Sequence, residues 1–229
     1  MNKTILVIAA HPDDEVLGCG GSIAKWSQEG NKVHILIMAE GATSRNKQRD
    51  RNASKKDLSL LAQSANEAGQ ILGAETVTLL DYPDNRMDSV DLLDVVKSIE
   101  HYIEKVKPEV IATHHFGDLN VDHQIVHTAV MTASRPQPGH IVKRILCFET
   151  QSSTEWQSPI NKQAFVPNWF EDISSTLEIK IKALHAYKSE MRAFPHSRSI
   201  EALESLAKWR GSIVGKNAAE TFMLMREIV

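Results

Sequence analysis

Apolar residues along this chain fall in short unbroken runs, separated by stretches with helical spacing. Residues 4–10 (TILVIAA), 33–39 (VHILIMA), 76–80 (TVTLL), 109–115 (EVIATHH) and 144–150 (RILCFET) are such runs. A short continuous apolar run predicts a strand buried on both faces. Between them, residues 17–29, 57–72, 90–106 and 121–134 read as helices. Leu58, Leu61, Ala65, Ala68 and Leu72 set the inner face of the second, which Gly73 closes. Val90, Leu93, Val96, Ile99 and Ile103 set that of the third, which stops before Pro108. Residues 40–56 are polar and read as a long loop. After residue 150 the alternation breaks: 151–172 is irregular, helices are expected near 174–190 and 198–210, and 220–229 (ETFMLMREIV) reads as a last strand. The pattern predicts one α/β domain over 1–229. Its expected architecture is a Rossmann-like open, mostly parallel sheet with helices on both faces and an elaborated C-terminal third.

Composition narrows the function classes. Lys plus Arg number 26 and Asp plus Glu 29 in 229 residues, a formal charge of −3. That balance argues against a nucleic-acid partner, which needs a basic surface. No apolar run approaches the ~20 residues of a membrane helix. The opening residues lack the long apolar region and small-residue cleavage site of a signal peptide. Two cysteines, Cys19 and Cys147, make neither a disulfide framework nor a thiolate zinc site. A reduced, cytoplasmic enzyme is expected, and the sequence is compatible with a homo-oligomer. The ten histidines are the one unusual feature.

Two of the predicted strands end in chemistry. The first runs into His11-Pro12-Asp13-Asp14-Glu15, followed by Gly18-Cys19-Gly20-Gly21. Open parallel sheets bind ligands at the carboxyl ends of their strands. A histidine and three carboxylates there are costly to bury without a counter-charge, and a divalent cation supplies one. Imidazole plus carboxylate suits zinc, iron or a similar first-row ion. A dinucleotide site is the rival reading. It fails on the G-x-G-G spacing and on the acids that would face the pyrophosphate. Acids complementing a helix dipole account for Glu15, and for Asp14 in part, but leave His11 unexplained. The fourth strand runs into Thr113-His114-His115-Phe116-Gly117-Asp118-Leu119-Asn120-Val121-Asp122-His123, with His127 one turn on. His123 is the best third ligand for a His/Asp/His set, which leaves a zinc ion one open position. His127 reads as a supporting or packing residue. Of His114 and His115, one is expected to face the core and one the site.

The pair A-H-P-D-D-E and N-x-D-H, in these strand contexts, resembles the PIG-L/LmbE family of zinc-dependent N-deacetylases. The likeness extends over nearly the whole chain, including P-D-N-R at 83–86, S-T-E-W at 153–156 and R-G … A-E-T-F at 210–222. It implies that His11, Asp14 and His123 bind Zn2+, with Fe2+ or Co2+ able to use the same donors. It implies that Asp13 is the general base and that Asp122 tunes the metal histidine. Asn120 stands where the family often has a histidine assigned to the oxyanion; an amide still donates a hydrogen bond but carries no charge. The implied reaction is removal of an acetyl group from an N-acetylated sugar or sugar conjugate. Two other readings remain: hydrolysis of another amide, such as an N-acyl thiol-sugar or an antibiotic, and a non-catalytic sugar-binding module that keeps the metal.

Substrate contacts are expected from the loops at the same sheet edge. Residues 45–56 hold six basic residues and one acid. They read either as a solvated loop or as a lid whose first arginine, Arg45, grips a phosphate- or nucleotide-bearing sugar. Asp84 and Arg86 suit sugar hydroxyls, Trp156 suits a sugar face, and His196 and Arg198 lie in a segment, 194–199, that either covers the site or simply caps a helix through Ser197 or Ser199.

Overall fold

The computed structural model describes residues 2–158 and 164–229. Among the described residues seven strands and six helices follow one another, the first nine alternating as the apolar pattern predicts. They are β1 (Thr4–Ala9), α1 (Asp14–Gln28), β2 (Lys32–Ala39), α2 (Lys55–Leu72), β3 (Thr76–Tyr82), α3 (Leu92–Val106), β4 (Val110–His114), α4 (Val121–Ala133), β5 (Arg144–Phe148), β6 (Trp169–Asp172), α5 (Leu177–Leu184), α6 (Ile200–Ile213) and β7 (Ala219–Glu227). They form one sheet in the order β3-β2-β1-β4-β5-β7-β6. The pairs β2–β3, β1–β2, β1–β4 and β4–β5 are parallel, whereas β7 runs antiparallel to both β5 and β6. The expected Rossmann-like, mostly parallel sheet is therefore present. The chain order reverses between β1 and β4, so the loops after these two strands face each other across a crevice.

Alternation along β1 splits the core in two. Ile5 and Val7 join one apolar cluster with Leu17, Ile23, Leu61, Ala65 and Leu184, beneath α1, α2 and α5. Leu6 and Ile8 join the other with Val95, Ile99, Val126 and Val130, beneath α3 and α4. A strand flanked this way must be apolar at every position, which is why TILVIAA shows no alternation.

Several expectations need correction. α1 begins at Asp14 rather than 17, so the acids form its first turn. Leu93 faces solvent at 63% exposure, because the buried stripe of α3 runs through Val95, Ile99 and Ile103 at i+4 spacing, about 200° from Leu93. The segment read as irregular over 151–172 contains β6, a short edge strand, while 159–163 lie outside the described residues. The helix expected over 174–190 is α5 plus one 3-10 turn at His185–Tyr187. Among the described residues no helix is long and apolar enough to cross a membrane.

Candidate metal centre

His11 stands one residue past Ala10, where β1 gives way to the turn before α1, and Asp14 is the first residue of that helix. His123 comes from the first turn of α4. Neighbouring strands β1 and β4 thus deliver all three side chains to one point. His11 Nδ1 lies 3.2 Å from Asp14 Oδ2 and 3.3 Å from His123 Nε2, and His123 Nε2 lies 3.1 Å from Asp14 Oδ2. The backbone N–H of His11 donates to the same Asp14 oxygen at 2.9 Å.

The outer nitrogen of each ring faces a buried carboxylate. His11 Nε2 donates to Asp122 Oδ2 at 2.9 Å, and Asp122 also accepts from the backbone N–H groups of Asn85 and Met87 at 2.7 and 2.9 Å. His123 Nδ1 lies 3.1 Å from Asp118 Oδ1. Asp118 in turn accepts from the Asn120 N–H at 2.9 Å, from Thr154 Oγ1 at 2.6 Å, and from Ser153 Oγ. With a proton on each outer nitrogen, both inner nitrogens present lone pairs to one another and to the Asp14 carboxylate. Three acceptors this close repel one another, and a proton or a bound cation relieves that repulsion. Donors ~2.0–2.1 Å from a tetrahedral ion keep about 3.3 Å between them, which the observed spacing matches. Two imidazoles and a carboxylate, each imidazole backed by a second carboxylate, fit a first-row divalent ion. The electrostatics agree. Burial alone would lower the His123 pKa, but Asp14 and Asp118 push it up to about 9, so the cluster draws positive charge. Burial likewise opposes a charge on His11, and Asp122 and Asp14 outweigh it. A second His/Asp group, His11 with Asp84 and Asp122, shares the His11 ring; it meets that ring through the nitrogen already donated to Asp122.

His114, which the strand pattern left open, lies beside the site. Its ring stacks on His123 with centroids 3.8 Å apart. Its Nε2 accepts from the Ala10 N–H at 2.8 Å, so the ring is neutral, and burial and the neighbouring His123 lower its pKa. His115 packs instead among Phe116 and Phe165. His127 spends Nδ1 on the His114 carbonyl at 2.9 Å, a supporting role as expected.

Asp13 is not among the three converging donors. It is the N-cap of α1 with φ at 108°, and its side chain caps nothing. Glu15 accepts the Asp13 N–H at 3.1 Å instead. The Asp13 carboxylate is buried at the edge of a cavity of about 200 Å³, and Arg198 Nη1 donates to its Oδ2 at 3.1 Å. Burial raises the Asp13 pKa well above the usual range, with Arg198 pulling the other way.

The same cavity is lined by Asp84, Arg45 and Asn120. Arg45 pairs with Glu190 at 2.6 Å, and Asp84 Oδ2 accepts the Ser44 N–H at 3.0 Å. Asn120 caps α4 by accepting the Asp122 N–H, and its Nδ2 donates to Asn85 Oδ1 at 2.7 Å. Arg86, Trp156 and His196 are not brought in. Arg86 turns away to the carbonyls of Asn46 and Lys47 at 3.1 and 3.2 Å, pinning the basic loop. Trp156 is half-exposed and meets His196 edge-on, 5.7 Å between centroids, outside the lining. Arg49 and Arg51 spend their charge on Glu40 and Asp81, so most of the arginine in that loop ties it down. Sequence reasoning gave no role to Asp118 or Glu190, whereas Arg198, read with His196 as able to cover the site, does line the cavity. Asp118 had a usable signal, an acid five residues before His123.

The profile of PIG-L, GlcNAc-PI de-N-acetylase, matches residues 6–134, a span that holds the whole donor cluster. The chain belongs to the PIG-L family. Its relatives agree with the resemblance read from the two motifs. Escherichia coli K12 has an uncharacterized deacetylase, YaiS, 31% identical over 193 residues, covering 82% of this chain and 91% of YaiS. The diacetylchitobiose deacetylase of Thermococcus kodakarensis is 25% identical, covering 95% of this chain and 81% of its own. The fold also recurs in the crystal structure of a 4-carboxy-2-hydroxymuconate hydratase from Pseudomonas putida, with a TM-score of 0.75 at 24% identity, covering 99% of this chain and 98% of that one.

Proposed function

We propose that this PIG-L protein is a zinc-dependent hydrolase that removes an acetyl group from an N-acetylated sugar or sugar conjugate. The observation that carries the reading is the convergence of His11 Nδ1, Asp14 Oδ2 and His123 Nε2 within 3.3 Å, beside a buried Asp13 that opens onto a cavity. A divalent cation held by these donors supplies an acidified water and charge relief for the acetyl oxygen. Asp13, adjacent to Asp14 but outside the donor cluster, takes the proton of the attacking water on the carboxylate that opens to the cavity. The water oxygen bonds to the acetyl carbon, the C–N bond breaks, and Asp13 returns the proton to the departing amine. Acetate and a free amino sugar leave. Asn120 supports the oxyanion through Nδ2, since an amide has two N–H donors and Asn85 takes one. Arg45 and Asp84, on the cavity wall, are the proposed sugar contacts.

Metal analysis and amine release from N-acetylglucosamine, N,N′-diacetylchitobiose and N-acetylglucosaminyl conjugates test the reading. About one bound zinc and release from at least one of them is the expected result. Zinc with no amine from any of them overturns it. Because the fold also serves a hydratase, 4-carboxy-2-hydroxymuconate belongs in the panel; its consumption instead would assign the site to hydration. Asp13→Ala is expected to keep the metal and lose roughly 10²–10⁴ in turnover. Full activity with bound metal would remove Asp13 from its role.

A further inference from the structure

We propose that Arg198 is the positioning residue for Asp13, holding one carboxylate oxygen so that the other is presented to the cavity. The inference rests on the reading of Asp13 as the proton carrier. An aspartate at a helix N-cap ordinarily accepts one of the first free N–H groups of its helix. Asp13 does not: its side chain makes no cap bond, and its left-handed backbone turns the carboxylate out of the helix. The partner it has is Arg198, through Nη1 to Oδ2 at 3.1 Å.

Arg198 is itself aimed. Its Nε donates to Ser152 Oγ at 2.8 Å, and its backbone N–H donates to His196 Nδ1 at 3.0 Å. Ser199, next in the chain, caps α6 by accepting the Ala202 N–H at 3.1 Å, which fixes where the arginine leaves the helix start. The planar guanidinium thus spans from the loop after β5 to the loop after β1, a reach and a fork that lysine lacks. His196, placed on the sequence as a substrate contact, instead helps to hold the backbone of Arg198.

Crystal structures of metal-loaded wild type and Arg198→Met, compared at one pH, test the placement directly. The Asp13 carboxylate is expected to leave its present position when the guanidinium is gone; an unmoved carboxylate overturns the proposal. Kinetics supply the second measurement, on whichever N-acetyl sugar the wild type hydrolyses. Arg198→Met is expected to lose roughly 10²-fold in kcat, the scale of a misplaced reacting group, with KM and metal content unchanged. Arg198→Lys should recover part of the loss. In an Asp13→Ala background the Arg198→Met loss should vanish. A loss that persists there, or one confined to KM, assigns Arg198 to substrate and overturns the proposal. A wild type inactive on every N-acetyl sugar defeats the deacetylase reading alone, and the crystallographic comparison still decides Arg198.

Discussion

His11 is gripped from two sides, by Asp122 on its outer nitrogen and by the donor cluster on its inner one, and the outer nitrogen of His123 faces the Asp118 carboxylate at 3.1 Å. Such backing fixes both the tautomer and the ring angle. Asp118 is unusually well held, since Ser153, Thr154 and the Asn120 N–H all donate to it. Asp118→Asn keeps the size but loses the charge that faces His123. Metal affinity should fall roughly 10–100-fold, read by competition against a chromophoric chelator. Unaltered affinity would reduce Asp118 to a loop fastener. Legibility at this scale follows sequence distance. His11, Asp13 and Asp14 are adjacent, so their shared purpose shows in the bare sequence. Asp118 sits five residues before His123, a hint at its partner, but the Ser153 and Thr154 hydroxyls that hold it lie 35 and 36 positions later and leave no trace near it.

At the scale of elements, α1 has to carry Asp14 and Glu15 at its tip and still pack tightly. It does so with a kink: Cys19 leaves the helical region at φ −149°, freeing the N–H groups of Gly21 and Ser22 in mid-helix. Glu220 of β7 caps this second start, accepting from Gly21 N–H at 3.0 Å and Ser22 N–H at 2.6 Å, while Lys180 of α5 neutralises it at 2.6 Å. A side chain at Gly18 would lie 2.3 Å from Phe148, and one at Gly21 2.8 Å from Ile173. The glycines therefore serve packing, and the dinucleotide reading loses its last support. Likewise Arg210 locks onto Glu149 with bonds of 2.9 and 2.8 Å, so the R-G … A-E-T-F stretch is a structural clasp. Glu220→Gln leaves Lys180 buried beside a neutral partner. A loss of about 3–5 kcal/mol is expected in urea unfolding, with part of it restored by adding Lys180→Met. A wild-type midpoint would mean that the pair carries no stability. The parallel core was readable because doubly buried strands are apolar throughout. The antiparallel sense of β7 was not, because a strand's direction leaves no trace in its own composition. β6 was missed because its four residues are all half-buried and offer no apolar run.

Across the whole molecule, the donors come from the matched segment 6–134, while Ser152, Glu190 and Arg198 close the cavity from beyond it. Chemistry and enclosure thus come from different stretches of chain, joined by the Arg45–Glu190 and Asp13–Arg198 pairs. The donor cluster is itself a cross-link between the β1–α1 and β4–α4 turns, and it exists only when both are folded. A cation bound there binds the native state alone and stabilises it by mass action, about 2.7 kcal/mol at a hundredfold excess over Kd. For a chain of this length each kcal/mol moves Tm by about 2–4 °C, so stripping the ion should lower Tm by about 5–11 °C. Re-addition of zinc should restore it. His123→Ala, which removes one donor, should melt near the stripped value with or without chelator. A wild-type Tm indifferent to both chelator and zinc would show that His11, Asp14 and His123 hold no ion, whatever the protein then proved to hydrolyse.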